Sequence, residues 1–204
     1  MTLSEFDNEI RKEHNVVCGC DEAGRGPLAG DVFAAAVIFD KDTVIEGIND
    51  SKKLTAKKRE ELFDEIMEKA VDFSIQTATV EEIEDINILN AAMLAMKRAV
   101  EDMDTKPDVC LIDGNKTPEG LECPAIAVVK GDAKSQAVAA ASILAKVARD
   151  RYMEQMAEQY PEYRFEKHKG YGTKLHYQMI DQYGPCGIHR MSFLKKYYAK
   201  KNGH

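Results

Sequence analysis

Residues 16–31 constrain the fold of this chain more than any other stretch. The apolar run Val16-Val17-Cys18-Gly19-Cys20 stops on two adjacent carboxylates, Asp21 and Glu22, and these are followed at once by Gly24-Arg25-Gly26. A run of this composition favours extended backbone, and a strand that ends on acids places them in the crevice where sites form in α/β sheets. Two neighbouring acids suit a hard cation, while a glycine-arginine-glycine bend lets bare backbone and one guanidinium approach a phosphate. The run predicts metal-assisted chemistry on a phosphodiester.

The rest of the chain alternates between strand and helix signals, which predicts a mixed α/β domain. A second strand is expected over residues 31–39 and a charged amphipathic helix over 55–70, with Leu62, Phe63, Ile66 and Met67 on one face. Residues 73–80 alternate like a strand, and Thr79 with Glu82 forms a capping box opening helical material through Val100. Residues 109–112 and 125–129 read as short buried strands, and a long alanine-rich helix is expected from Asp132 to about Tyr160. Residues 165–173 read as a polar loop; Thr173 caps a helix through Gln182, and a basic helix follows His189. No repeat or linker interrupts the pattern. The expected organisation is one domain over residues 1–163 with a basic loop and helical extension over 164–204.

Three strand ends carry acid beside glycine: Asp21 with Glu22, Asp113 before Gly114, and Asp132 after Gly131. A single aspartate of this kind is commonly a turn residue that bonds its own backbone. Three together point elsewhere, because four converging carboxylates repel unless cations neutralise them, and two Mg2+ or Mn2+ ions about 4 Å apart would clamp the oxygens of a phosphoryl transfer. Asp21, Glu22, Asp113 and Asp132 are therefore the expected metal-binding and catalytic acids.

Net charge is −7, yet residues 164–204 carry +7 against −14 in the remainder, so a basic tail sits on an acidic body. The five cysteines are odd in number and lie mostly in apolar runs, which suits free thiols in a reducing compartment; Cys18 and Cys20 lack a second pair at zinc spacing. The first 14 residues are polar and the longest apolar runs are too short to span a bilayer, so a cytosolic protein with no membrane partner is expected.

Read in order, the segments Gly19-Cys20-Asp21-Glu22-Ala23-Gly24-Arg25-Gly26, Asn49-Asp50-Ser51-Lys52-Lys53-Leu54, Ile112-Asp113-Gly114-Asn115 and Val129-Lys130-Gly131-Asp132 resemble the motifs of ribonuclease HII. The resemblance continues through residues 140–150, His168-Lys169-Gly170-Tyr171-Gly172-Thr173 and His189-Arg190-Met191-Ser192-Phe193. It implies an RNase H-like fold, with a mixed five-stranded sheet, flanking helices and a small C-terminal helical extension. It also implies cleavage of RNA in RNA/DNA hybrids and on the 5′ side of ribonucleotides embedded in duplex DNA, leaving 3′-hydroxyl and 5′-phosphate ends.

In that frame either Asp113 or Asp21 bridges the ions, while Glu22 and Asp132 complete single-ion shells. Gly24, Arg25 and Gly26 offer backbone groups to the ribose 2′-hydroxyl, the group that distinguishes RNA from DNA, and Tyr171 matches the tyrosine that senses the junction. Lys52, Lys146, Arg149 and the tail lysines are candidates for phosphate contact. His168 and His189 are read as structural, since a hard cation takes oxygen ligands. Asp31 departs from the family pattern, which has an uncharged residue there, and stands either near the acids or at an exposed strand start. The expected partner is nucleic acid and the expected state a monomer; a sliding clamp is compatible, though no clamp-binding peptide stands out. The competing readings are another RNase H-fold nuclease such as ribonuclease HIII, and a non-catalytic nucleic-acid-binding module with no use for four acids.

Overall fold

The apolar run after residue 16 becomes β1 (Val17–Ala23), buried along its first five residues, and it takes the centre of the sheet. On one side β1 pairs antiparallel with β2 (Val32–Ile38), which pairs antiparallel with β3 (Asp72–Ala78). On the other it pairs parallel with β4 (Val109–Asp113), which pairs parallel with β5 (Ala125–Val128). The order β3-β2-β1-β4-β5 is a mixed five-stranded sheet, as the resemblance implies. Cys20 is paired with Ile112, so the next residues along the two parallel strands, Asp21 and Asp113, stand at the same level of the sheet. The computed structural model describes residues 1–48 and 54–202; Lys52 lies outside the described residues.

Helices cover both faces because β2 is buried on both sides. Ala34 and Ala36 face α3 (Val80–Glu101), whose Ala91, Ala92, Ala95 and Ala99 pack against them, while Ala35 and Val37 face α2 (Ala56–Lys69) and α4 (Gln136–Gln159). Small residues on both partners bring helix and strand close. At Gly19 the approach is closest: a Cβ there would lie 2.2 Å from the Ala137 carbonyl carbon, so no residue with a side chain fits under the start of α4. Thr55, expected as the first helical residue, is the cap of α2, and Leu62, Phe63 and Ile66 are buried, but Met67 is 39% exposed and lies at the edge of that face.

The capping box of Thr79 and Glu82 opens α3, and Arg98 reaches back to both Glu82 carboxylate oxygens. Within α3 the backbone breaks at Asn87 (φ 68°, ψ 163°), whose Oδ1 accepts from the amides of Leu89 and Asn90 and so caps a second helical run. The long helix α4 begins at Gln136, capped by Ser135, and not at Asp132. Lys130 in a left-handed conformation turns the chain first, leaving Asp132 in a single 3₁₀ turn, Gly131–Ala133.

The polar N-terminal residues, for which the sequence predicts no element, form α1 (Leu3–Ile10), with a capping box between Thr2 and Glu5. Its Asp7 is buried and accepts from the Ala137 amide, so a carboxylate from α1 sits at the positive N-terminus of α4. After α4, a one-turn α5 (Phe165–His168), α6 (Lys174–Tyr183) and α7 (Met191–Asn202) gather around Met153, Tyr163, Phe165, Ile180 and Leu194. The stretch expected as a polar loop thus buries Phe165 and His168. The cysteines are free thiols, Cys18, Cys20 and Cys110 buried and Cys123 and Cys186 half-buried. Among the described residues no helix is long and apolar enough to cross a membrane.

Candidate active site

An open cleft at the ends of β1 and β4 is lined by Asp21, Glu22, Gly24, Arg25, Gly26, Asp113, Ser142, Lys146 and Tyr171, with Ile88 and Phe193 as an apolar flank. Each comes from an element already described: the acids from parallel strand ends, Ser142 and Lys146 from α4, Ile88 from the turn after the Asn87 break, and Tyr171 from the segment before α6. Eight of the residues picked from the sequence meet in this cleft: Asp21, Glu22, Gly24, Arg25, Gly26, Asp113, Lys146 and Tyr171. Asp132 is absent from its lining but follows Gly131, whose amide donates to Asp113 Oδ1 at 2.6 Å.

Asp21 is 5% exposed and its Oδ1 accepts from the Glu22 amide at 2.7 Å. Burial pushes its carboxyl well above the ordinary value, and the charges of Glu22 and Asp113 push it further, against a Ser142 hydrogen bond acting the other way. A carboxylate held against its own repulsion in an all-oxygen neighbourhood gains from a cation, so the donor set fits a hard divalent ion. Among the described residues no three acids stand close enough to form a finished cage. Glu22 is turned to Arg25 Nη1 at 3.0 Å and Asp113 to the Gly131 amide.

The bend after β1 is held by two buried arginines. Arg190, fully buried, donates to the carbonyls of Gly24, Arg25, Pro27 and twice to that of Gly30, at 2.6 to 3.2 Å. Arg149, 1% exposed, donates to the carbonyls of Asp31, Lys169 and Ala29. Gly24 is needed where these meet: its φ is 102° and a Cβ would stand 2.1 Å from Arg149 Nε. Burial pushes both guanidinium groups down, that of Arg190 to about 9, which still leaves it charged at neutral pH. Arg149 therefore is not the phosphate contact expected from the sequence, because no part of it is free to meet solvent or ligand.

Tyr171 is 42% exposed, with Lys146 Nζ 6.0 Å and the Arg149 guanidinium 5.9 Å from its ring centre. Lys146 also pairs with Asp150 at 2.7 Å. Asp31 is clear of the cleft: its Oδ1 accepts from the Val80 amide at the start of α3, and burial raises its carboxyl. His168, His176 and His189 are buried behind Tyr171, in line with the structural role expected for His168 and His189.

Compared with protein-family models, the chain matches that of ribonuclease HII over residues 18–196. The chain belongs to the ribonuclease HII family. Curated ribonuclease HII relatives include that of Caldicellulosiruptor saccharolyticus, 54% identical over 189 residues that cover 93% of this chain and 92% of the relative. Another, from Idiomarina loihiensis, is 58% identical and covers 87% of this chain and 95% of its own. Among solved structures, the ribonuclease H2 from Pyrococcus horikoshii superposes with a TM-score of 0.72 at 30% identity, covering 87% of this chain and 93% of that one. As a ribonuclease HII the protein is an RNase H endonuclease, and enzymes of this type use divalent metal ions.

Sequence reasoning missed one residue that lines the ribonuclease HII cleft, Ser142, and two that shape it from outside, Arg190 and Asn87. Arg190 looks in sequence like one more charge of the basic tail; its adjacency to His189 inside a motif is the available signal. Ser142 sits unmarked in an alanine-rich helix. Asn87, breaking a helical pattern two residues after Asp85, could have been read as an internal cap that aims Ile88 at the cleft.

Proposed function

We propose that this ribonuclease HII nicks duplexes on the 5′ side of a ribonucleotide, in embedded single ribonucleotides and in RNA/DNA hybrids, leaving 3′-hydroxyl and 5′-phosphate ends. Asp21, Glu22, Asp113 and Asp132 hold two divalent ions, Mn2+ or Mg2+. When bound, the ions supply the positive charge that stabilises a phosphodiester under attack by water. The chain's own residues do the selecting. Gly24, Arg25 and Gly26 present backbone groups to the 2′-hydroxyl, Tyr171 lies against the sugar at the RNA-to-DNA junction, and Lys146 and Lys52 meet phosphates. The segment over residues 164–204 helps to grip the duplex, and the protein acts as a monomer.

One observation carries this reading: Asp21, buried and crowded by Glu22 and Asp113, opens into the same cleft as the arginine-pinned bend and the half-exposed Tyr171. A duplex with one ribonucleotide tests it. With Mn2+ or Mg2+ the product is a single nick 5′ of that residue, chelation abolishes it, and an all-DNA duplex stays intact. Cleavage elsewhere, or cleavage in the presence of excess chelator, overturns the proposal.

A further inference from the structure

Behind Tyr171 two buried histidines and one backbone amide form a chain of hydrogen bonds whose direction is fully set. The Cys186 amide donates to His189 Nδ1 at 2.9 Å, so that nitrogen is an acceptor and the proton of His189 is on Nε2. His189 Nε2 stands 3.0 Å from His176 Nε2, which must then accept, leaving the His176 proton on Nδ1. That Nδ1 stands 3.0 Å from the Tyr171 carbonyl oxygen. His168 lies face to face with His176, ring centres 4.3 Å apart, its Nδ1 taking the Gly170 amide and its Nε2 donating to the Tyr163 carbonyl. His176 is 0% and His189 3% exposed, so water cannot replace any of these partners. Every ring is neutral: an extra proton on His176 would set two N–H groups against each other. Burial agrees, pushing His176 and His189 down to about 4.

We propose that His176 is a positioning residue for substrate selection, the last donor of a Cys186-to-His189-to-His176 relay that fixes the Tyr171 carbonyl and with it the ring over the cleft. The proposal rests on the reading of Tyr171 as the junction residue. The ring is 42% exposed, with Lys146 and Arg149 near its face, and its backbone is held from behind at the Tyr171 carbonyl. The Tyr171 carbonyl also accepts from the Thr173 amide at 2.8 Å, and the two donors together leave it one orientation.

Two substitutions separate positioning from packing. In His176→Asn the side-chain amide takes the place of Nδ1 and still donates to Tyr171, but it cannot reach His189. In His176→Gln the side chain reaches the place of Nε2 and can accept from His189, but offers no donor at the Tyr171 carbonyl. The expected result on a single-ribonucleotide duplex with Mn2+ is kcat/KM near wild type for Asn and a fall of about tenfold for Gln, the loss of one positioning hydrogen bond. Equal impairment of both, or of neither, overturns the proposal, since either result would mean that volume alone matters. Nitrogen-15 shifts of the imidazole rings in the intact protein give an independent test: proton on Nε2 of His189 and on Nδ1 of His176 is expected, and any other pattern refutes the relay. A Tyr171→Ala enzyme with unchanged preference for the junction would remove Tyr171 from substrate reading, a separate failure from that of the tautomers.

Discussion

Replacing Arg190 by lysine tests the idea that the bend over residues 24–30 is held from inside by one guanidinium. Arginine makes five contacts of 2.6 to 3.2 Å with four backbone carbonyls, and no solvent reaches them. A lysine ammonium has three donors on one atom and no planar fork, so at least two contacts disappear. Charge-assisted bonds are worth about 1.5–3 kcal/mol each, and an unpaired buried carbonyl costs a similar amount, giving a loss of about 4 kcal/mol. The site also works against lysine in a second way. Burial already pushes the Arg190 guanidinium down to about 9, and an ammonium with its lower starting value is driven toward neutrality there. For a domain of this size about 4 kcal/mol corresponds to a fall of roughly 10 °C in Tm. Thermal unfolding gives the first readout and cleavage of a single-ribonucleotide duplex the second, with kcat/KM falling because the bend no longer holds one shape. A Tm within about 2 °C of wild type together with unchanged cleavage would refute the reasoning.

Three further outcomes are expected. Asp113→Asn should lower turnover by about a thousandfold or more with little change in Tm, because the amide oxygen can still accept from Gly131 N–H while the metal-binding charge is gone; near wild-type cleavage would remove Asp113 from the site. Gly24→Ala should destabilise by about 1–3 kcal/mol and slow cleavage, since its Cβ meets Arg149 at a φ of 102°, and unaltered denaturant midpoints would contradict this. The contribution of the buried histidines to stability should rise with pH between about 4 and 6.5. There the unfolded histidines bind protons that His176 and His189, pushed down to about 4, do not, so their contribution is complete above the unfolded value and lost as pH falls through the folded one. Burial raises Asp7, Asp21 and Asp31, which act in the opposite direction, so the test is the difference between wild type and His176→Asn: urea titrations with equal slopes against pH would sink the assignment.

Much of this is legible in sequence because it depends on local periodicity. The apolar run ending at Asp21, the capping box at Thr79 and the cap at Thr173 declare strands and helix starts within a few residues of themselves. What stays hidden depends on partners far along the chain. Arg149 reads as a surface cation until the carbonyls of residues 29, 31 and 169 close around it. Asp31 looks like an extra acid for the site until the start of α3 delivers the Val80 amide to it. Sequence pattern starts α4 four residues early because Lys130 adopts a left-handed turn, which a lysine gives no warning of. The acids stand out as a set because all follow strand signals, and the histidines are recognisable as structural without their ordering into a relay being visible.

The arginine-pinned bend has a consequence for how the enzyme comes into being. Its carbonyls at Gly24 and Gly30 are gathered by a residue 160 or more positions downstream. A growing chain therefore carries Asp21, Glu22, Asp113 and Asp132 long before residue 190 can join them. Closing so long a loop is slow and comes late in folding. The acids are synthesised first and the group that shapes the bend beside them locks last, so an incomplete chain has the acids without the guanidinium that gives the neighbouring bend its shape.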